Sequence, residues 1–193
     1  HRDVHPCPHD ALPIFQQAAL AGISMGAAST AHIASAYPSR VSSLTLIRPA
    51  WHHQRSPHNM NVYNVLADYL TLYGAEEGKK AFADSQIYQS ILAHSPDNAN
   101  SLLSTFGMPV EKTQHLLRRI SCCDPGFNAG AIKAAGIPVA VVGTTLDVIH
   151  PLSLAEDIAR DLGLAKADKV YPKSLNKAQH IAEVTDIMTR NMG

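Results

Sequence analysis

The sequence predicts an α/β chain: a doubly wound, mostly parallel sheet, with a block of helices inserted between two of its strands. Three observations predict it. Apolar strand-like runs alternate with helical segments at both ends of the chain, the pattern of a parallel sheet covered on both faces. The run Ile137-Pro138-Val139-Ala140-Val141-Val142 is almost continuously apolar, as a central parallel strand should be. Residues 52–136 show helical spacing and no strand pattern.

Taken in order, residues 1–13 hold His1, His5, Cys7 and His9 among prolines. Imidazole and thiolate are common metal ligands, but this spacing matches no closed site, so a poorly ordered leader and no bound metal are expected. Residues 14–23 give a short helical turn and then the first strand. Residues 25–37 read as an alanine-rich helix that can lie close against a sheet, stopped by Pro38. Residues 41–47 form a second strand, with Arg48-Pro49-Ala50-Trp51 at its tip. Trp51 either lines a substrate pocket or packs under the segment that follows.

In the inserted block, Val62, Val65, Leu66, Tyr69, Leu70 and Tyr73 keep helical spacing up to Gly74. Ile87, Tyr88, Ile91 and Leu92 mark another helix. Ser95-Pro96 starts a third, and Leu116, Leu117 and Ile120 belong to a fourth. Most of the tyrosines lie here, either packing helices or lining a pocket. The sheet resumes at 137–142, followed by Asp147, a helix over 151–162, a short strand at 169–171, a loop over 174–179 ending at His180, and a terminal helix over 181–192.

The bulk numbers exclude several classes. With 193 residues the chain can bury a sizeable core. Lys+Arg and Asp+Glu balance at 16 each, against a nucleic-acid partner. No like-charge run or long apolar stretch suggests a membrane, and the polar start lacks a signal-peptide pattern. Cys7, Cys122 and Cys123 make no disulfide framework, so a reduced, cytoplasmic protein is expected.

The chemistry centres on Gly22-Ile23-Ser24-Met25-Gly26. By chance Gly-x-Ser-x-Gly occurs in roughly one chain in twenty of this length, so its weight comes from its place between a strand and a helix. There it reads as a nucleophile elbow: a strained turn that holds out the serine hydroxyl beside the backbone N–H of Met25 and the positive end of a helix. A serine hydroxyl needs a base within hydrogen-bond reach and a carboxylate to orient that base. In doubly wound sheets such groups come from loops at the carboxyl ends of strands. Ser24, Asp147 and His180 meet that rule in chain order. His150 is a second candidate base, set below His180 because it lies only three residues from Asp147 on one loop. Asp157, Asp161 and Asp186 read as helix-surface residues.

On the elbow, the Asp147-Val148-Ile149-His150-Pro151 segment after an apolar strand, and His180 before the final helix, the chain resembles the α/β-hydrolase fold family. Its closest likeness is to the serine-hydrolase branch with a helical cap, and it covers nearly all of the chain from about residue 14. One departure is Gln179, where that family often has glycine before the histidine. The resemblance implies a partial hydrolase core at 1–51 and 137–193 and a cap at 52–136. It implies Ser24, Asp147 and His180 as the triad, Met25 as oxyanion donor, Met25 and Trp51 at the substrate, and no cofactor or metal.

The family's elbow follows its fifth strand, whereas here it comes at residue 24. The expectation is therefore an incomplete chain, missing a second oxyanion donor and leaving a sheet edge open to self-association. Two functions stay open: a serine hydrolase acting on a small-molecule ester, lactone, thioester or similar acyl compound, and a truncated, inactive remnant kept as a binding module or without function.

Overall fold

The computed structural model describes residues 16–193, and the His1, His5, Cys7, His9 cluster lies outside them. Four strands, β1 (Ala18–Ile23), β2 (Val41–Ile47), β3 (Val139–Thr144) and β4 (Asp168–Val170), form one sheet in the order β1-β2-β3-β4. Every pairing is parallel, with Leu46 opposite both Gly22 and Val141. All four strands therefore deliver their carboxyl ends to the same side of the sheet.

Alternation of side chains along the strands builds two cores. Leu44, Leu46 and Val141 face α1 (Met25–Ala36), which offers Ala27, Ala31 and Ala34 at helical spacing, and also contact Ala155, Ile158 and Ala159. Ile47, Ala140, Val142 and Val170 face the opposite way, onto Val184 and Ile187 of the C-terminal helix. The sheet is thus doubly wound. Burying a side chain the size of Leu46 or Val141 contributes about 1.5–3 kcal/mol. β1 lies at the end of the strand order and is the least covered strand, with Ile23 58% exposed.

Between β2 and β3 the regular elements are all helical: a 3₁₀ turn at His58–Met60, α2 (Asn61–Ala83), α3 (Gln86–His94), α4 (Pro96–Ser104), a second 3₁₀ turn at Thr105–Gly107, α5 (Val110–Cys122) and α6 (Ala129–Ala134). Gly74, at φ 70° and ψ −166°, breaks α2 into two pieces. Phe82 is the hub of this segment, its ring within 5.5–5.8 Å of Tyr69, Tyr88 and Phe106. Those two tyrosines pack helices. The segment's cluster meets the sheet side through Ala50, Trp51 and Ile149. Ile132 of α6 packs instead with the sheet cluster, beside Phe127 and Ala129.

The chain closes with α7 (Leu152–Asp161), β4 and α8 (Lys177–Met192). α8 starts four residues earlier than its apolar pattern suggests. Asn176 caps it, its side-chain oxygen accepting from the Gln179 N–H at 3.0 Å. His180 therefore sits inside the first turn of a helix and not at the end of a loop. No helix among the described residues is long and apolar enough to cross a membrane.

Candidate active site

Ser24 stands between β1 and α1 at φ 56° and ψ −114°. Such a backbone is rare for a residue with a side chain and costs on the order of 1–3 kcal/mol. It is held on both sides: the Ser24 N–H donates to the Ile47 carbonyl at 3.0 Å, and the Ser24 carbonyl accepts from Ala27 N at 3.0 Å. The turn is tight enough that a Cβ on Gly22 would fall 2.1 Å from the Gly26 carbonyl oxygen, whereas a Cβ on Gly26 would meet nothing within 4 Å.

The loop after β3 is pinned from the helical segment. Leu146, at φ 57°, presents its carbonyl to the Ser95 hydroxyl at 2.6 Å. The side-chain oxygen of Asn98 accepts from the N–H groups of Val148 and Ile149 at 2.9 and 3.1 Å. Asn59 Nδ2 donates to the Ile149 carbonyl at 2.6 Å and to the Ala50 carbonyl at 3.0 Å. Ser95 and Asn98 are both buried, and in them the loop's backbone groups find the partners that burial demands.

Held this way, the loop folds Asp147 back on itself. Asp147 Oδ1 accepts from the His150 backbone N–H at 3.0 Å and lies 2.9 Å from His150 Nδ1. His150 Nε2 lies 2.8 Å from Ser24 Oγ. A carboxylate can only accept, so Nδ1 carries the proton and Nε2 the lone pair, which accepts from the serine hydroxyl. His150 is 7% exposed, so little water competes for either contact.

Arg48 completes the group. Its N–H donates to the Val142 carbonyl at 2.7 Å, its backbone turns to φ 47°, and its Nε donates to Asp147 Oδ2 at 2.6 Å. Asp97 stands 3.7 Å from the Arg48 guanidinium and also accepts from Lys173 Nζ at 2.8 Å. Burial alone would raise the Asp147 carboxyl. The hydrogen bond from His150 and the charge and hydrogen bond of Arg48 outweigh it and hold the group well below the usual carboxylate range.

One expectation is corrected: the imidazole that meets Ser24 is His150 and not His180. The His180 N–H at Nδ1 donates to the Tyr171 carbonyl at 2.8 Å, tying the first turn of α8 to the end of β4. The three-residue spacing that counted against His150 is what lets one carboxylate hold both its backbone and its ring. Met25 follows Ser24 as the first residue of α1, where backbone N–H groups have no intrahelical acceptor. Met25 and Trp51 line one cavity of about 410 Å³, with Ala28, His32, Ile33 and Ile120. Trp51 is also 7% exposed and packed into the helical cluster, so it both packs and lines. Arg48, Ser95 and Asn98 were not foreseen as parts of the site. The one signal for Arg48 was a charged residue at the tip of an apolar strand.

Solved structures share this architecture. The acetyl esterase MekB superposes with a TM-score of 0.66 at 15% identity, over 89% of this chain and 61% of its own. An acetylester hydrolase from Corynebacterium glutamicum gives 0.62 at 13% identity, over 89% and 60%. MenH from S. aureus gives 0.62 at 14% identity, over 92% and 70%. The fold is that of the α/β-hydrolases. The chain spans about three-fifths of the length of the first two structures. No family model matches it, and no curated protein matches it in sequence.

Proposed function

We propose that the chain carries the catalytic centre of a serine hydrolase acting on a small-molecule ester or related acyl compound. The observation that carries this reading is the unbroken contact series from Arg48 through Asp147 and His150 to Ser24, with its last link at 2.8 Å.

In the reaction, Ser24 Oγ attacks the acyl carbon while its proton passes to His150 Nε2. Asp147 keeps Nδ1 protonated and stabilises the imidazolium, and Arg48 keeps Asp147 ionised and oriented. The Met25 N–H faces the developing oxyanion, aided by the positive end of α1. Collapse of the tetrahedral intermediate breaks the bond to the leaving group, which takes the proton from His150. Water then attacks the acyl-enzyme by the same path in reverse and frees Ser24.

Within the helical segment over 52–136, α2 to α5 act as a cap while α6 stays on the sheet, and the mainly apolar cavity at Met25 and Trp51 takes an apolar group of the substrate. The exposed free thiols of Cys122 and Cys123 fit a reducing, cytoplasmic setting.

The test is labelling by a fluorophosphonate probe beside hydrolysis of short p-nitrophenyl esters. Ser24 should be the labelled residue, and Ser24→Ala should lose both signals while keeping its circular dichroism spectrum. A folded chain that neither labels nor turns over would favour the reading as an inactive, binding-only remnant.

A further inference from the structure

Away from Ser24, the loop after β2 carries two adjacent histidines whose ring nitrogens converge on one carboxylate. His53 Nε2 lies 2.7 Å from Asp161 Oδ2, and His52 Nε2 lies 3.0 Å from the same oxygen. The two imidazoles are 3.6 Å apart between centroids, and Phe127 packs against both at 5.4 and 5.5 Å. One nitrogen or oxygen from each residue falls within a sphere of contacts no wider than 4.8 Å.

Hydrogen bonding alone leaves this cluster incomplete. His53 has a well-formed bond to Asp161, whereas the solvent-shielded His52 Nε2 meets the same carboxylate oxygen at 3.0 Å with poor hydrogen-bond alignment. Poorly satisfied buried polar atoms are costly, and a cation between the rings and the carboxylate would engage all three.

Two imidazoles and one carboxylate suit zinc and its first-row neighbours, whereas calcium and magnesium favour all-oxygen sites. A tetrahedral ion with bonds of about 2.0–2.2 Å sets its ligand atoms roughly 3.3–3.5 Å apart. The 3.0 Å contact needs to open by about 0.3–0.5 Å and the 2.7 Å contact by about 0.6–0.8 Å, a shift that the partly exposed His53 and Asp161 side chains can make. His53 and Asp161 are both partly open to solvent, which leaves an entry path and room for a water as fourth ligand.

We propose that His52, His53 and Asp161 bind one divalent transition-metal ion of the zinc class. The site fastens the loop after β2 to the C-terminal end of α7. That loop begins beside Arg48 and carries Trp51, so the ion steadies the backbone behind both.

The experiment uses the full chain stripped with chelator and titrated with zinc chloride by calorimetry, with thermal unfolding measured in parallel. One equivalent should bind with micromolar affinity or tighter, and zinc should raise the Tm. His53→Ala and Asp161→Asn, both at partly exposed positions, should each weaken binding by about tenfold or more and abolish the Tm rise, with unchanged circular dichroism. The quadruple variant His1→Ala, His5→Ala, Cys7→Ser, His9→Ala should bind as the wild type does. The proposal is overturned by absence of binding, by affinity indifferent to His53→Ala and Asp161→Asn, or by binding lost with the four N-terminal ligands.

Discussion

The loop after β3 and the loop after β4 each lead to a buried histidine, and only one of the two histidines reaches Ser24. His150 and His180 are 7% and 6% exposed, so burial does not separate them. Their partners do. His150 stands between a carboxylate and a hydroxyl, on a loop pinned by Ser95, Asn98 and Asn59 of the helical segment. His180 donates to the Tyr171 carbonyl, on a loop tied to its own helix, where Glu183 accepts from Tyr171 N at 2.6 Å. A ring held by a backbone carbonyl is fastened at one end. A ring held by a carboxylate has its tautomer set and its far nitrogen ready to accept a proton.

Substitutions at four positions break or sharpen that contrast. His150→Asn should lower ester turnover by about 10⁴–10⁶ with the fold intact. If His180→Asn did so in its place, the pairing of His150 with Ser24 would not be the working one. Asp147→Asn should cost about 10⁴ in kcat, since the wrong tautomer would then face Ser24. Asp147 also has a signature in stability. Its carboxyl is held low in the folded chain, so it contributes stability above the unfolded-state value near 3.9 and loses it as pH falls through the lower folded value. Denaturant unfolding from pH 7 downward should show this acid-side loss in the wild type and a flatter limb in Asp147→Asn.

Asn98→Ala should act more gently and on both properties. It strips the buried Ile149 N–H of its acceptor at about 1–3 kcal/mol and the more exposed Val148 N–H at less, and by loosening the loop it should lower kcat by roughly 10–100-fold. Equal kcat with lower stability would show that the loop keeps its shape without the helical segment. His180→Ala comes last: a loss of about 1–3 kcal/mol by chemical denaturation, with kcat near that of the wild type.

The fold was legible because its signals are local. A continuous apolar run marked β3, Leu44, Leu46 and Ile47 marked β2, and the small residues around Ser24 marked a strand-to-helix turn. Asp147 was legible for the same reason, as the acid just beyond an apolar strand. The partner of Ser24 was not. Chain order favoured His180, but Asn176 starts α8 early and carries His180 into a helix, while the side chains of Asn98 and Ser95, some fifty residues away, shape the loop that presents His150. Long-range side-chain bonds to backbone leave no periodicity to read. The same holds for His52, His53 and Asp161, which are joined only once α7 has docked.

The short spacing between Asp147 and His150 has a consequence for how such a centre is assembled. Acid and base are three residues apart, while Ser24 and His150 are 126 apart. Closing a loop costs more entropy the longer it is, though only logarithmically, so the acid–base pair is the inexpensive contact and can form as soon as its own loop does. A single distant encounter then completes the centre, where acid, base and nucleophile on three separate loops would require two. The pair would travel as a cassette only with its supports: moved to the carboxyl end of another parallel strand beside a similarly exposed serine, it would keep the Asp147–His150 contact but would need new partners for the bonds that Ser95, Asn98 and Asn59 make to its loop.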